Sequence, residues 1–249
     1  IRYVSTNGNR VLTTDEVTGK SGEAIAYSTT SQINEFKKQG YKLVSDEFTA
    51  GGAKVYDYDT ARDQVYTVTL SERVEPVNPD NPSPQPNTPV NPGQPDSPRW
   101  PGTVENLDNK ESVSRTIHYV YEDGSKAKDD VVETLNFKRW SNVNLVTGHI
   151  DFQDWTTNDD TFDKVVSPTI AGYTADKSEI PAVSGVQAKD QDRVETVTYR
   201  KDAQKAIIRY VSTNGNRVLT TDEVTGKSGE AIAYSTTSQI NEFKKQGYK

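Results

Sequence analysis

Residues 208–249 repeat residues 1–42 letter for letter. The offset of 207 residues between Ile1 and Ile208 is far longer than a solenoid unit of roughly 20–50 residues, so what recurs is a set of whole domains. The chain, which contains no Met, is expected to be a piece of a longer tandem protein. It would span one full period and part of the next.

A fainter repeat lies inside the period. Ile1-Arg2-Tyr3-Val4 followed by Asn7-Gly8 resembles Ile117-His118-Tyr119-Val120 followed by Asp123-Gly124. Gly40-Tyr41 resembles Gly172-Tyr173, and Thr67-Val68-Thr69-Leu70 resembles Thr196-Val197-Thr198-Tyr199, in the same order. Each period therefore carries two related modules, the second enlarged between its first strand and its Gly-Tyr pair. Ten of the 12 prolines fall between Pro76 and Pro101. That stretch has no apolar period, and it is expected to be a solvated polyproline-like spacer reaching ~80 Å when extended at ~3.1 Å per residue. The division is 1–75 for the first module, 76–102 for the linker, 103–202 for the enlarged module and 203–249 for a truncated copy of the first.

In the first module, Ile1–Ser5 and 10–17 read as strands joined at Asn7-Gly8, a hairpin signal. Thr29 with Gln32 three residues on reads as a capping box. A helix over about 30–39 buries Ile33 and Phe36, carries Lys37 and Lys38 at its negative end, and stops at Gly40. Residues 41–48 and 64–73 read as strands, with 54–58 as a short candidate. In 64–73, Tyr66, Val68 and Leu70 alternate with threonines, one face buried and one wet. In the second module, strands are expected over 115–121, 131–137, 143–146, 150–155 and 194–200, with a helical turn near 161–165. Strand, strand, helix, strand, strand gives an α+β class, with tandem β-grasp (ubiquitin-like) modules. The truncated copy holds two strands and the helix without closing strands. It is expected to be poorly ordered, or completed by a neighbouring chain.

Several function classes are excluded by composition. A formal net charge of −7 with scattered lysines and arginines argues against nucleic acid and anionic membrane as partners. No run of apolar residues is long enough to span a bilayer. Without cysteine there is no disulfide, thiol chemistry or Cys-based zinc site. The two histidines, His118 and His149, lack partners at catalytic spacing, and no nucleophile-elbow, dinucleotide, P-loop or zincin pattern occurs. The chain is read as no enzyme, with no cofactor and no metal. Asp159, Asp160 and Asp163 lack the spacing and glycine of a calcium loop and read as a solvated turn.

Aromatic residues are the candidates for ligand contact, because a ring stacks on sugar C–H groups while its OH or NH stays hydrogen-bonded. They are Trp140, Trp155, Tyr56 and Tyr58. Trp140 and Trp155 read first as core or half-core, since Trp is highly buried on average. Trp100, flanked by Arg99 and Pro101, is expected to dock the spacer onto a domain.

The second module carries a family signature. Ile117-His118-Tyr119-Val120 with Glu122-Asp123-Gly124 leads into Phe137-Lys138-Arg139, Val146-Thr147-Gly148 and Asp154-Trp155-Thr156. Thr161-Phe162-Asp163, Ser167-Pro168, Gly172-Tyr173-Thr174 and Val197-Thr198-Tyr199 follow. Over about 103–201 this resembles the mucin-binding (MucBP) domain of lactobacillal mucus-binding proteins, and the first module looks like its companion domain. The resemblance implies a secreted protein anchored to the bacterial cell wall. It implies adhesion to host mucin glycans through many weak copies. Immunoglobulins are the alternative partner, through similarity to β-grasp immunoglobulin-binding modules, and a ligand-free stalk is a third reading.

Overall fold

The computed structural model describes every residue except Pro95. It divides into two compact units, one of residues 1–111 with 136–158 and one of residues 112–135 with 159–249. The strands are β1 (Arg2–Ser5), β2 (Val11–Thr14), β3 (Tyr41–Asp46), β4 (Thr67–Glu72), β5 (Val74–Val77), β6 (Lys110–Tyr121), β7 (Lys126–Lys138), β8 (Ser141–Asn144) and β9 (Ile150–Phe152). They continue with β10 (Val165–Val166), β11 (Tyr173–Ala175), β12 (Glu179–Ile180), β13 (Arg193–Lys201), β14 (Ala203–Val211) and β15 (Val218–Lys227). Helices α1 (Thr30–Lys38) and α2 (Thr237–Lys245) complete a sheet-rich mixed architecture.

In the first unit, one sheet has the order β2-β1-β4-β3, with β1 and β4 parallel at its centre. Alternation along β4 buries Val68 and Leu70 beside Tyr3, and α1 lays Ile33 and Phe36 over them. Spacing of three residues puts these two side chains on one helix face. Aromatic edges fill the rest of the core: Tyr3 to Phe36 at 5.6 Å, Phe36 to Tyr41 at 5.7 Å and Phe48 to Tyr66 at 5.4 Å between ring centroids. The capping box does not form. Thr29 is buried and its hydroxyl donates to Asp46 Oδ2 at 2.6 Å, since a carboxylate is a stronger acceptor than the backbone. Residues 54–58 contribute only a bridge between Ala24 and Val55 rather than a strand.

The proline-rich stretch is not a solvated spacer. Val74–Val77 pairs antiparallel with β8, which pairs with β9. Pro76 is tolerated because β5 is the outer strand of this sheet. Further on, Asn87 N donates to the Trp100 carbonyl at 2.9 Å, Trp100 N to that of Thr88 at 3.0 Å and Val90 N to that of Pro98 at 2.9 Å. These bonds close the segment into a hairpin-like loop. Val90 and Trp100 pack on a cluster of Val77, Val104, Val143 and Leu145. An apolar residue every ten or so positions thus supplies what the missing period does not.

The second unit contains the sheet β11-β13-β6-β7, again with a parallel central pair. Its register copies that of the first sheet. Tyr3 faces Val68 and Tyr119 faces Val197, while Tyr41 faces Glu72 and Tyr173 faces Lys201. All four residues of the central pairs are buried. No helix lies between β7 and β11. Val165–Val166 forms a strand with β12 instead of the expected helical turn, as suits consecutive β-branched residues. Beneath it Arg115 is fully buried. Its Nε donates to Glu133 at 2.7 Å and its Nη1 to the Pro181 carbonyl at 3.0 Å, and its guanidinium stands 5.1 Å from the Phe162 ring centroid.

Residues 203–249 form a hairpin, β14 with β15, and a helix, α2. The helix buries no residue.

Candidate functional site

Arg139 and Trp140 lie between β7 and β8 in the first unit. Arg139 Nε donates to the Asp108 carbonyl at 2.7 Å and Nη2 to Asp108 Oδ2 at 2.9 Å. Its guanidinium carbon lies 4.0 Å from the Phe152 ring centroid and 4.2 Å from that of Trp155. Two such cation–π contacts to one desolvated cation hold both rings in place. Trp155 is half-buried, and its neighbour Thr156 is bridged to Lys138 through paired backbone bonds of 2.8 and 2.9 Å. Trp140 departs from the expectation of a core residue: it is 47% exposed. Its carbonyl accepts the Gln153 amide at 2.9 Å, which fixes the backbone while the indole stays in solvent. The guanidinium itself is satisfied by Asp108, so the cluster offers a ring face rather than a free positive charge.

Tyr56 and Tyr58 form a second pair in the same unit. Tyr56 is tied by its own amide to the Glu23 carbonyl at 2.9 Å and by its carbonyl to the Gly22 amide at 2.8 Å. Its ring covers Gly19 so closely that a Cβ there would sit 2.1 Å from Cε2. Tyr58 is 81% exposed, with its hydroxyl beside Gly22. Each aromatic pair thus has one clamped ring and one presented ring. Trp155 lies against Arg139, Trp140 is the next residue along the chain with its ring in solvent, and the tyrosines lie over the 19–22 loop.

Polar side chains elsewhere serve structure. Tyr3 and Tyr27 share a hydroxyl–hydroxyl bond of 2.8 Å, and Tyr27 donates to the Asp15 carboxylate. Burial first, then the bond to Asp15, drives the Tyr27 phenol far above its ordinary range. His118 Nδ1 lies 3.0 Å from Asp130 across the β6–β7 hairpin surface. Asp159 and Asp160 accept the amide and hydroxyl of Thr161, both at 2.9 Å, and Asp163 gives its carbonyl to Arg115. Among the described residues, no group of three or more His, Asp or Glu side chains is placed to hold a metal ion.

One feature the sequence does not reveal is an open cleft of ≈ 710 Å³, walled by Lys38 and Gln39 at the end of α1, by Pro89, Gln94 and Arg99 of the proline-rich loop, and by Leu145. Its cations are already engaged. Lys38 pairs with Glu35 at 2.9 Å and Asp96 at 3.6 Å, and Arg99 donates to the Asn87 carbonyl. Only the fold of the proline-rich stretch creates this wall, so no local motif could have marked it.

Comparison with known families matches residues 104–203 to a Muc B2-like domain, and residues 1–72 and 204–249 to a mucin binding domain. The likeness read over 103–201 thus falls under the Muc B2-like description, and the mucin binding description falls on the first module and its copy. Among solved structures, the type 2 repeat of the mucus binding protein MUB from Lactobacillus reuteri is 28% identical, with a TM-score of 0.52, over 81% of this chain and 97% of that one. Mub-RV is 26% identical, with a TM-score of 0.63, over 81% of this chain and 96% of that one. No curated protein matches the chain. No helix is long and apolar enough to cross a membrane among the described residues. With both modules matched in order and two repeat structures aligned along most of its length, the chain belongs to the family of Mub-type mucus-binding repeats.

Proposed function

We propose that the chain is a non-enzymatic adhesin repeat that binds host mucin glycans through weak contacts made by presented aromatic rings. The observation that carries this reading is the pairing of clamped and exposed rings. Trp155 and Tyr56 are packed, while Trp140 and Tyr58 stand in solvent. A rigidly based, exposed ring loses little entropy on stacking against a sugar. Each contact is small, and linked copies raise the effective concentration of the next, so avidity can exceed single-site affinity by ~10²–10⁴. The family's setting suggests secretion and attachment to a bacterial cell wall outside this stretch. Two sheets with a parallel central pair and one register support reading both modules as β-grasp variants, the second with its helix replaced by the 139–172 insertion.

A second reading rests on β3, an outer strand of its sheet, where Leu43 and Val44 are exposed. Such an edge suits an immunoglobulin or another protein that adds a strand. A glycan array probed with this chain, with an immunoglobulin control, separates the two. Under the glycan reading, Trp140→Ala and Tyr58→Ala each weaken mucin binding by roughly fivefold, about 1 kcal/mol for a lost aromatic contact. Deglycosylated mucin then no longer binds. Undiminished binding to deglycosylated mucin, or competition by antibody, overturns it.

A further inference from the structure

Both modules hand the chain on through the same device. β4 and β5 are separated by Arg73 alone, and β13 and β14 by Asp202 alone. Arg73 N donates to the Gly40 carbonyl at 2.8 Å, and Asp202 N to the Gly172 carbonyl at 2.9 Å. The carbonyl of each then accepts an amide from the partner of the outgoing strand: Leu145 N to Arg73 at 2.9 Å, Ser228 N to Asp202 at 2.9 Å. In each case the incoming side chain is pressed onto the glycine. A Cβ on Gly40 would lie 2.9 Å from Leu145 Cβ, and one on Gly172 would lie 3.0 Å from Ser228 Cβ. Both glycines have positive φ, +94° and +79°, which disfavours any side chain there independently of space. At the second junction the Thr174 hydroxyl also donates to Asp202 Oδ1 at 2.6 Å, Gln204 Nε2 donates to Ser228 Oγ at 3.1 Å, and Lys201 stands 3.8 Å from Glu230.

We infer that Gly172 and Asp202 form a docking socket for the opening hairpin of the following repeat, so that consecutive repeats meet at a fixed joint with no free linker. The partner is the next copy of the same chain's first module. Ser228 and Glu230 are the repeat counterparts of Ser21 and Glu23, so the docking face is written into every copy. The recurrence of the socket at Gly40 and Arg73, with a different incoming residue, marks it as a device for attaching a strand pair to a finished sheet. A flexible connection of even a few Gly or Ser residues would instead let the next module sample a broad cone.

The chain has no cysteine, so spin labels at Ser184→Cys in the second module and Thr221→Cys on β15, both exposed, report the joint without background. Pulsed dipolar spectroscopy is expected to give one narrow distance distribution. Inserting three glycines between Asp202 and Ala203 should broaden it several-fold, and Gly172→Ala should broaden it less. Amide protection of β6 and β13 in each variant checks that the module itself stays folded. A distribution in the unmodified joint as broad as in the glycine insert, or an insert that leaves it narrow, overturns the proposal.

Discussion

Residues 1–42 and 208–249 are one sequence in two settings, and they separate what local sequence determines from what a partner determines. The helix is the same in both: nine residues, Thr30–Lys38 and Thr237–Lys245, each with a Glu–Lys pair three residues apart, at 2.9 and 2.7 Å. The strand is not the same. Asp15–Lys20 is outside any strand, whereas Asp222–Lys227, the same letters, closes β15. The difference is the segment 203–207, which lies opposite 223–227 in the register from Ala203↔Lys227 to Ile207↔Glu223. Strand length is thus set by who stands across the ladder, helix start and stop by the residues themselves. Burial follows a third rule, the presence of a closing sheet. Ile33 is 6% exposed beneath β3 and β4, while its counterpart Ile240 is 40% exposed.

The comparison is sharpest at the helix. Phe36→Ala is expected to cost about 3–5 kcal/mol, the usual range for removing a buried ring, whereas Phe243→Ala should cost well under ~1 kcal/mol. Urea unfolding of the two variants decides between them, and equal costs would show that α2 is as well packed as α1. Hydrogen exchange gives the next largest contrast. A nine-residue helix without a buried face is marginal, so the amides of α2 should exchange roughly 100-fold faster than those of α1, corresponding to about 2.7 kcal/mol of missing burial. Appending a copy of residues 43–75 after Lys249 should remove most of that gap. If the gap stays, the closing strands do not account for it.

A glycine pair tests the clamp. Gly19→Ala must displace the Tyr56 ring and should cost about 1–3 kcal/mol. At Gly226 the nearest side-chain atom to an added Cβ is Glu230 Oε2 at 4.0 Å, so Gly226→Ala should be neutral or stabilise by up to ~1 kcal/mol. Thermal melts of both variants read this directly. The smallest effect is alkaline. The Tyr27 phenol is raised chiefly by burial, and that of its copy Tyr234 chiefly by its hydrogen bond to Asp222. A raised phenol contributes stability that is intact below the unfolded value near ~10 and is lost as pH climbs above it. Tyr27→Phe should therefore flatten the loss of stability above pH ~10, and Tyr234→Phe should do so less. Melting temperatures between pH 8 and 11 check the order.

The strands of the first sheet, and β6, β7 and β13 of the second, were legible in the sequence because their signals are short-range. Alternation around Val68 and Val197, the Asn7-Gly8 turn and the Ile33–Phe36 spacing each lie within a few residues. What escaped depends on distant partners. β5 is a strand only because β8 pairs with it from far along the chain, Val74 against Asn144. Thr29 looked like a cap because Asp46, its actual acceptor, lies in another strand. Gly40 reads as a helix-end glycine and Gly172 as its counterpart, and their second task, accepting an incoming strand pair, is visible only when that strand is in place. For the candidate site, residue type was readable and exposure was not. Trp140 and Trp155 have similar neighbours in sequence, yet Arg139 stacks on the second and leaves the first in solvent.

The folded proline-rich loop has a consequence for survival among digestive enzymes. A protease must draw several residues of backbone into an extended form, and it finds them in exposed loops with few hydrogen bonds. The proline-rich stretch has the letters of a cuttable tether, but the amides of Asn87, Trp100 and Val90 are closed onto Trp100, Thr88 and Pro98, and the Arg99 side chain is held by Asn87. The exposed stretch around Arg62, between β3 and β4, is the softer target. Trypsin should therefore nick the first module there before it touches the segment that composition alone would single out.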